Sequence, residues 1–341
     1  MNIIRFLTTL ILFTMISSKL MANPNCFLTQ ENERLTNYCL LESTTGKLIN
    51  ENTMKIVVGR LQREGYFGGL SEPAITASIY PDLYYSNNIN GGNPNKKLVL
   101  GEIEFTGDPS LIAKRGVVVG VNFGGSFRKT YAVGRYIDGV ASVNLAYSPQ
   151  HKLSFSSRNV SLCSKNLIDK NIYTDFCATT SKMDKEITTD ETKTLSIALS
   201  KIAQTKRGIE EYKWSLKRLE TDDYEQTQAH FTLNTIHNDN LATSLVITMG
   251  QPIVDQIALK YGIEISASSI VFGRTWRFGV SHDYSDGGKL FGISRNDETT
   301  NALISTSLNK ATKISLSYSH RNSSINYFDE TFPTIRLTHQ F

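Results

Sequence analysis

The stretch TFPTIRLTHQF, Thr331 to Phe341, alternates with a period of two. Thr334, Arg336, Thr338 and Gln340 are polar, while Ile335, Leu337, His339 and Phe341 are apolar or aromatic, His339 being the softest of the four. Successive side chains on a strand point to opposite faces, so the pattern predicts a strand with one oily side and one wet side. It runs directly into a carboxyl-terminal phenylalanine. An ending of this kind is expected where a last strand closes a cylinder against the first, and Phe341 is read as the signal for that assembly.

The same period recurs upstream. Val117, Val119, Val121 and Phe123 alternate with Val118, Gly120, Asn122 and Gly124; Leu195, Ile197 and Leu199 alternate with Ser196, Ala198 and Ser200. Ile314, Leu316 and Tyr318 stand against Lys313, Ser315 and Ser317. Turn signals such as Asn90-Gly91-Gly92, Ser148-Pro149-Gln150 and Asn309-Lys310-Ala311 separate the runs. A soluble sandwich alternates too. Two features favour a membrane cylinder: the wet faces are small and polar, and runs reach about nine residues or more, the span a tilted membrane strand needs. A sheet in lipid cannot leave unpaired edges, so it must close. The expected fold is all-β, a transmembrane antiparallel β-barrel of about 14 strands with 12 as the next choice, over residues 71–341.

Residues 1–22 read as a secretory signal: a short basic start at Asn2 to Arg5, an apolar core from Ile3 to Ile16, then small residues Ser17, Ser18 and Ala22. Residues 23–70 follow as a periplasmic extension or plug-like segment, too poor in apolar groups to bury a core alone. A short helix is expected over Asn50 to Leu61, with Ile56, Val57 and Leu61 on one side. Four cysteines suit an oxidising compartment. Loop closure favours the two local disulfides, Cys26 with Cys39 and Cys163 with Cys177. Ser164 to Glu191, rich in lysine, aspartate and threonine, is expected to be a long solvent loop held by the second disulfide.

The formal charge of +4 is not clustered with aromatics, which argues against nucleic acid as a partner. No G-x-S-x-G, H-E-x-x-H or complete phosphate loop is found, so neither an enzyme, a cofactor nor a metal site is expected. His282-Asp283 are strand neighbours and point to opposite faces. Cations among wet-face positions are the candidate functional residues. Arg277 lies between Trp276 and Phe278, Lys313 between Thr312 and Ile314, and Arg336 between Ile335 and Leu337. Arg128, Lys129 and Arg135 add charge near a rim. Such groups bias a channel toward anions; the equal alternative is internal pairing with carboxylates. Tyr84, Tyr85, Tyr147, Tyr212, Trp214 and Trp276 are candidates for the lipid interfaces.

Four fragments carry a family likeness: YYSNNINGG at Tyr84 to Gly92, FGISRNDE at Phe291 to Glu298, SYSHRNSSINYFD at Ser317 to Asp329, and RLTHQF at Arg336 to Phe341. They resemble the carboxyl-terminal barrel of the surface lipoprotein assembly modifier family, over Ala74 to Phe341. The resemblance implies a barrel in the bacterial outer membrane, among its lipid and lipopolysaccharide, inserted by barrel assembly machinery and serving a secreted lipoprotein client. The 23–70 segment shows no repeat of roughly 34 residues such as family members carry ahead of the barrel. A pore or transport barrel with a polar lumen is therefore the leading expectation. An accessory for lipoprotein export or display is the first alternative, and a non-transporting adhesin or secreted β-rich binding module the second.

Overall fold

Strands with two such unlike faces need an apolar surround on one side and an enclosed wet space on the other. The chain meets both needs by closing on itself. The structure is a computed structural model that describes residues 26–29, 32–44, 51–63, 72–100, 102–309 and 311–339. The proposed signal at residues 1–22 and the terminal Phe341 lie outside the described residues.

Two helices come first, α1 Glu33–Thr44 and α2 Glu51–Arg63. Strands β1 Ala74–Ser86, β2 Lys97–Leu100, β3 Ile103–Thr106, β4 Gly116–Ala132, β5 Arg135–Ser148, β6 Leu153–Asp169, β7 Ile172–Asp184 and β8 Thr189–Gln204 follow. The remainder are β9 Gly208–Thr221, β10 Glu225–His237, β11 Leu241–Gly250, β12 Ala258–Val271, β13 Arg274–Leu290, β14 Ile293–Ser307, β15 Thr312–Ser323 and β16 Glu330–His339. All except β2 and β3 form one closed antiparallel ring in chain order, β16 meeting β1. The ring has 14 strands, as the sequence pattern predicts.

One expectation about the strands needs correction. Ser164 to Glu191 is not a loop: β6 continues to Asp169 and β7 follows after two residues. Cys163 and Cys177 sit directly opposite each other in the β6–β7 register, with Cα atoms 4.1 Å apart. The outward face of β7 hid it, since Thr174, Thr180 and Lys182 share that face with Ile172, Phe176 and Ala178. β2 and β3 form a separate hairpin outside the wall.

Six turns at one end of the barrel span only two to four residues, and both the approach to β1 and the departure from β16 lie there. The opposite end carries longer connections at 87–115, 251–257 and 324–329. The first of these folds back inside: Ile89 is buried against Val118, Ala146 and Phe155. Closure is brief. Only Asp82–Thr338, Leu83–Leu337 and Tyr84–Arg336 are paired across β1 and β16 among the described residues, whereas β1 pairs with β4 from Ala74 to Ser86.

The helices occupy the short-turn end. Leu35, Leu40, Val57 and Leu61 pack on Tyr173, Ile202, Ile209 and Ile236, which terminate the inner faces of β7 to β10. Burying side chains of this size contributes roughly 1.5–3 kcal/mol each. The helix over Asn50 to Leu61 was legible from its apolar spacing; α1 was not. Asn32 caps α1, its side-chain oxygen accepting from the Leu35 N–H at 3.1 Å. The Cys26–Cys39 disulfide ties the preceding turn, Cys26–Thr29, to the helix. Burial, with the Glu42 carboxylate adding to it, pushes the Tyr38 hydroxyl above its usual pKa.

Candidate functional site

Register fixes which side chains meet inside. On β4 the inward set is Gly120, Asn122, Gly124, Ser126 and Arg128; on β15 it is Lys313, Ser315, Ser317 and Ser319. The outward sets are apolar, and they are bare: Leu195 is 62% and Trp214 59% exposed. Toward the long-loop end the outward register turns polar, at Lys182, Lys193, Arg218, His282 and His320. His282 and His320 bond Thr300 and Thr331 there, at 3.0 and 2.7 Å.

The enclosed space is a cavity of about 1120 Å³ between α1 and the wall. Its charges fall into two groups. The first holds the helix. Arg34 donates to Asp175 at 2.8 Å, both side chains largely buried, with the guanidinium 4.4 Å from the centre of the Tyr173 ring. Glu33 pairs with Arg128 at 2.9 Å, and Arg128 and Lys165 both reach Asp138, at 3.1 and 3.2 Å. Tyr136 lies beneath Arg128, 4.4 Å from ring centre to guanidinium carbon. Glu211 accepts from Asn32 and, at 2.9 Å, from Asn234. Arg34, Arg128 and Lys165 thus face four carboxylates, Glu33, Asp138, Asp175 and Glu211, so this group has no excess of cations.

The second group is not balanced, and it runs from β9, beside the helix seat, across to β13 and β15. Lys213 and Lys217 on β9, Arg277 on β13 and Lys313 on β15 line the cavity, with Glu264 on β12 as the carboxylate among them. No carboxylate partner is recorded for Lys213, Lys217 or Lys313 among the described residues. Ser215, Thr232 and Ser244 supply hydroxyls between them. His230 bonds Thr248 through Nδ1 at 3.0 Å, leaving a buried Nε2 without a partner. In a water-filled lumen an ammonium without a counter-ion attracts mobile anions. Among the described residues no three His, Cys, Asp or Glu side chains converge to hold a metal ion.

The predicted cations therefore separate by role. Arg277 and Lys313 line the cavity. Arg128 holds α1. Lys129 falls on the outward register opposite Ile137. Arg135 is outward as well, reaching the Leu167 carbonyl at 3.4 Å. Arg336 grips Asp82 across the β1–β16 junction at 3.0 and 2.8 Å and lies over the Tyr84 ring. Tyr84 thus faces the lumen rather than a lipid interface, because its inward register partners are Val118 and Arg336. Lys213 and Lys217 went unrecognised, although Tyr212, Trp214 and Leu216 interleave with them much as Trp276 and Phe278 flank Arg277. Nothing in the sequence links Arg34 to Asp175.

A closed barrel, apolar outside and lined by polar residues around a seated helix, defines the class. No family model and no curated protein matches this chain. Among solved structures it is similar to Acinetobacter baumannii OccAB4, with TM-score 0.40 and 8% identity over 80% of this chain and 98% of that one. It is likewise similar to Pseudomonas aeruginosa OccK11 (OpdR), with TM-score 0.42 and 9% identity over 81% and 99%. A triple mutant of the Rh. blastica porin gives 0.40 and 7% over 79% and 100%. At these values the likeness is one of barrel to barrel.

Proposed function

We propose that this protein is a pore-forming barrel of the bacterial outer membrane that passes small anionic solutes through a lumen narrowed by its amino-terminal helices. The observation that carries the reading is the opposition of a bare apolar exterior to an interior with unneutralised lysines. Such an exterior is costly in water and suits hydrocarbon. The short turns, the approach to β1 and the departure from β16 then face the periplasm, and the longer loops face outward. In this reading residues 1–22 are a cleaved signal, barrel assembly machinery inserts the chain, and the outer band contacts lipid and lipopolysaccharide. No covalent chemistry is required.

Planar bilayers test it with the purified full chain. Discrete current steps with anion preference are expected. Replacing Lys213 and Lys217 together by glutamate is expected to move the reversal potential toward cation preference. A folded barrel that stays silent in the bilayer overturns the reading.

The resemblance at the carboxyl end supports a second reading, an accessory for lipoprotein export. The seated helices favour it in one respect, since they present a folded element on the periplasmic side where a client arrives. Copurification of one lipoprotein, lost when residues 26–63 are removed, is the result expected for that role.

A further inference from the structure

The helices do not cover the mouth evenly. Their anchors are Glu33 to Arg128, Arg34 to Asp175, Asn32 to Glu211, and the apolar seat on β7 to β10, all on one arc of the ring. The opposite arc, where β14, β15, β16 and β1 adjoin, holds a second cavity of about 570 Å³. Its described lining comes from those strands and the turn that carries Asn309 and Ala311, with no helical residue. That turn belongs to the short-turn end. The two cavities share Ser305, Ser307 and Lys313. Lys313 therefore stands where the central chamber opens toward the part of the mouth that no described helical residue lines.

Its surroundings suit a ligand. The side chain is exposed within the lumen and has no carboxylate partner among the described residues, while Ser305, Ser307 and Ser315 place hydroxyls nearby. Arg336 lines the same cavity, but Asp82 already neutralises it. Lys313 is thus the cation left to meet a solute there.

We infer that the conducting path leaves the chamber beside the helices, along β14, β15, β16 and β1, and that Lys313 forms a contact site on it for small solutes bearing a carboxylate or phosphate. This rests on the pore reading and adds a route and a selecting residue. An ammonium that loses its counter-ions in a narrow lumen holds an anionic group by a charge-assisted hydrogen bond, and the adjacent hydroxyls complete the shell.

The test exploits the cysteines. All four are in disulfides, so an introduced cysteine is the one free thiol. Lys313→Cys and Ser200→Cys are compared in planar bilayers, Ser200 being inward but buried on the covered arc. A negatively charged methanethiosulfonate is expected to cut the Lys313→Cys current severalfold and shift it toward cations, and to leave Ser200→Cys unchanged. With inorganic phosphate as the probe, half-block of the chloride current is expected to need roughly tenfold more phosphate in Lys313→Gln than in the unaltered chain. Block at Ser200→Cys with none at Lys313→Cys overturns the route while the pore stands. Equal phosphate block in Lys313→Gln overturns the contact site. Absence of current from the unaltered chain removes the pore and the route together.

Discussion

Arg34 and Phe272 show local cost at opposite extremes of burial. Arg34 and Asp175 leave water together, and such a pair holds only while both partners remain. Asp175→Ala strands the guanidinium against Tyr173 and Tyr136. It is expected to weaken the helix seat by about 3–5 kcal/mol, read as faster proteolysis within residues 33–63 at unchanged barrel content. Arg34→Met with Asp175→Leu is expected to recover most of the loss; if the double variant is as protease-sensitive as the single one, the ion pair is not what holds α1. Phe272 is the opposite case, 97% exposed with φ of 52° in the two-residue turn between β12 and β13. A side chain held in the left-handed region costs roughly 1–2 kcal/mol, and asparagine bears it more easily. Phe272→Asn is expected to raise the guanidinium midpoint of the barrel in lipid vesicles. A lowered midpoint would reveal a contact made by the ring.

The two disulfides constrain very different elements. Cys163 and Cys177 join strands that hydrogen bonds already hold in register on either side. Cys26 and Cys39 hold a turn against a short helix, beside the bond that the Thr36 hydroxyl donates to the Thr29 carbonyl. Replacing the first pair by serines is expected to shift thermal unfolding little. Replacing the second is expected to release the helices, seen as larger conductance and protease access, since closing so short a loop is worth about 3 kcal/mol. The legibility of elements followed the same division. Strands with apolar outward sets, such as β4, β8, β15 and β16, announced themselves by alternation. β7 did not, because threonine and lysine occupy much of its outward face and its inward Tyr173 and Asp175 are committed to α1. α1 was hidden for a related reason: its buried residues include Arg34, Thr36 and Asn37, and the carboxylate that Arg34 meets, Asp175, lies on a distant strand. The candidate cations were readable as inward or outward by parity, but whether one is free or paired depends on contacts far along the chain.

At the scale of the whole molecule the ring is least secured where β1 meets β16. Among the described residues three paired positions and the Asp82–Arg336 contact close it, and Pro81 and Pro333 add no backbone N–H to the neighbouring ladders. Backbone amides of β16 on its β1 side are expected to exchange with deuterium before those between β4 and β5. Asp82→Ala is expected to widen that difference and lower the temperature at which the barrel loses its compact migration in gels. Uniform exchange around the ring would show the junction to be as firm as any other. The asymmetry of charge belongs to this scale too. Arg34, Arg128 and Lys165 are paired with carboxylates around the helix seat, while Lys213, Lys217 and Lys313 have no carboxylate partner among the described residues.

The Asp82–Arg336 contact joins residues 254 positions apart, whereas every other wall pairing links strands that follow each other closely in sequence. Neighbouring hairpins zip with little loss of chain entropy, but the last join must gather a whole chain's length. The cylinder is thus born as an open, curling ribbon whose leading margin, β1, waits for its trailing one. The seat of the helices just ahead of β1 lies on β7 to β10, so completing it does not depend on that last join.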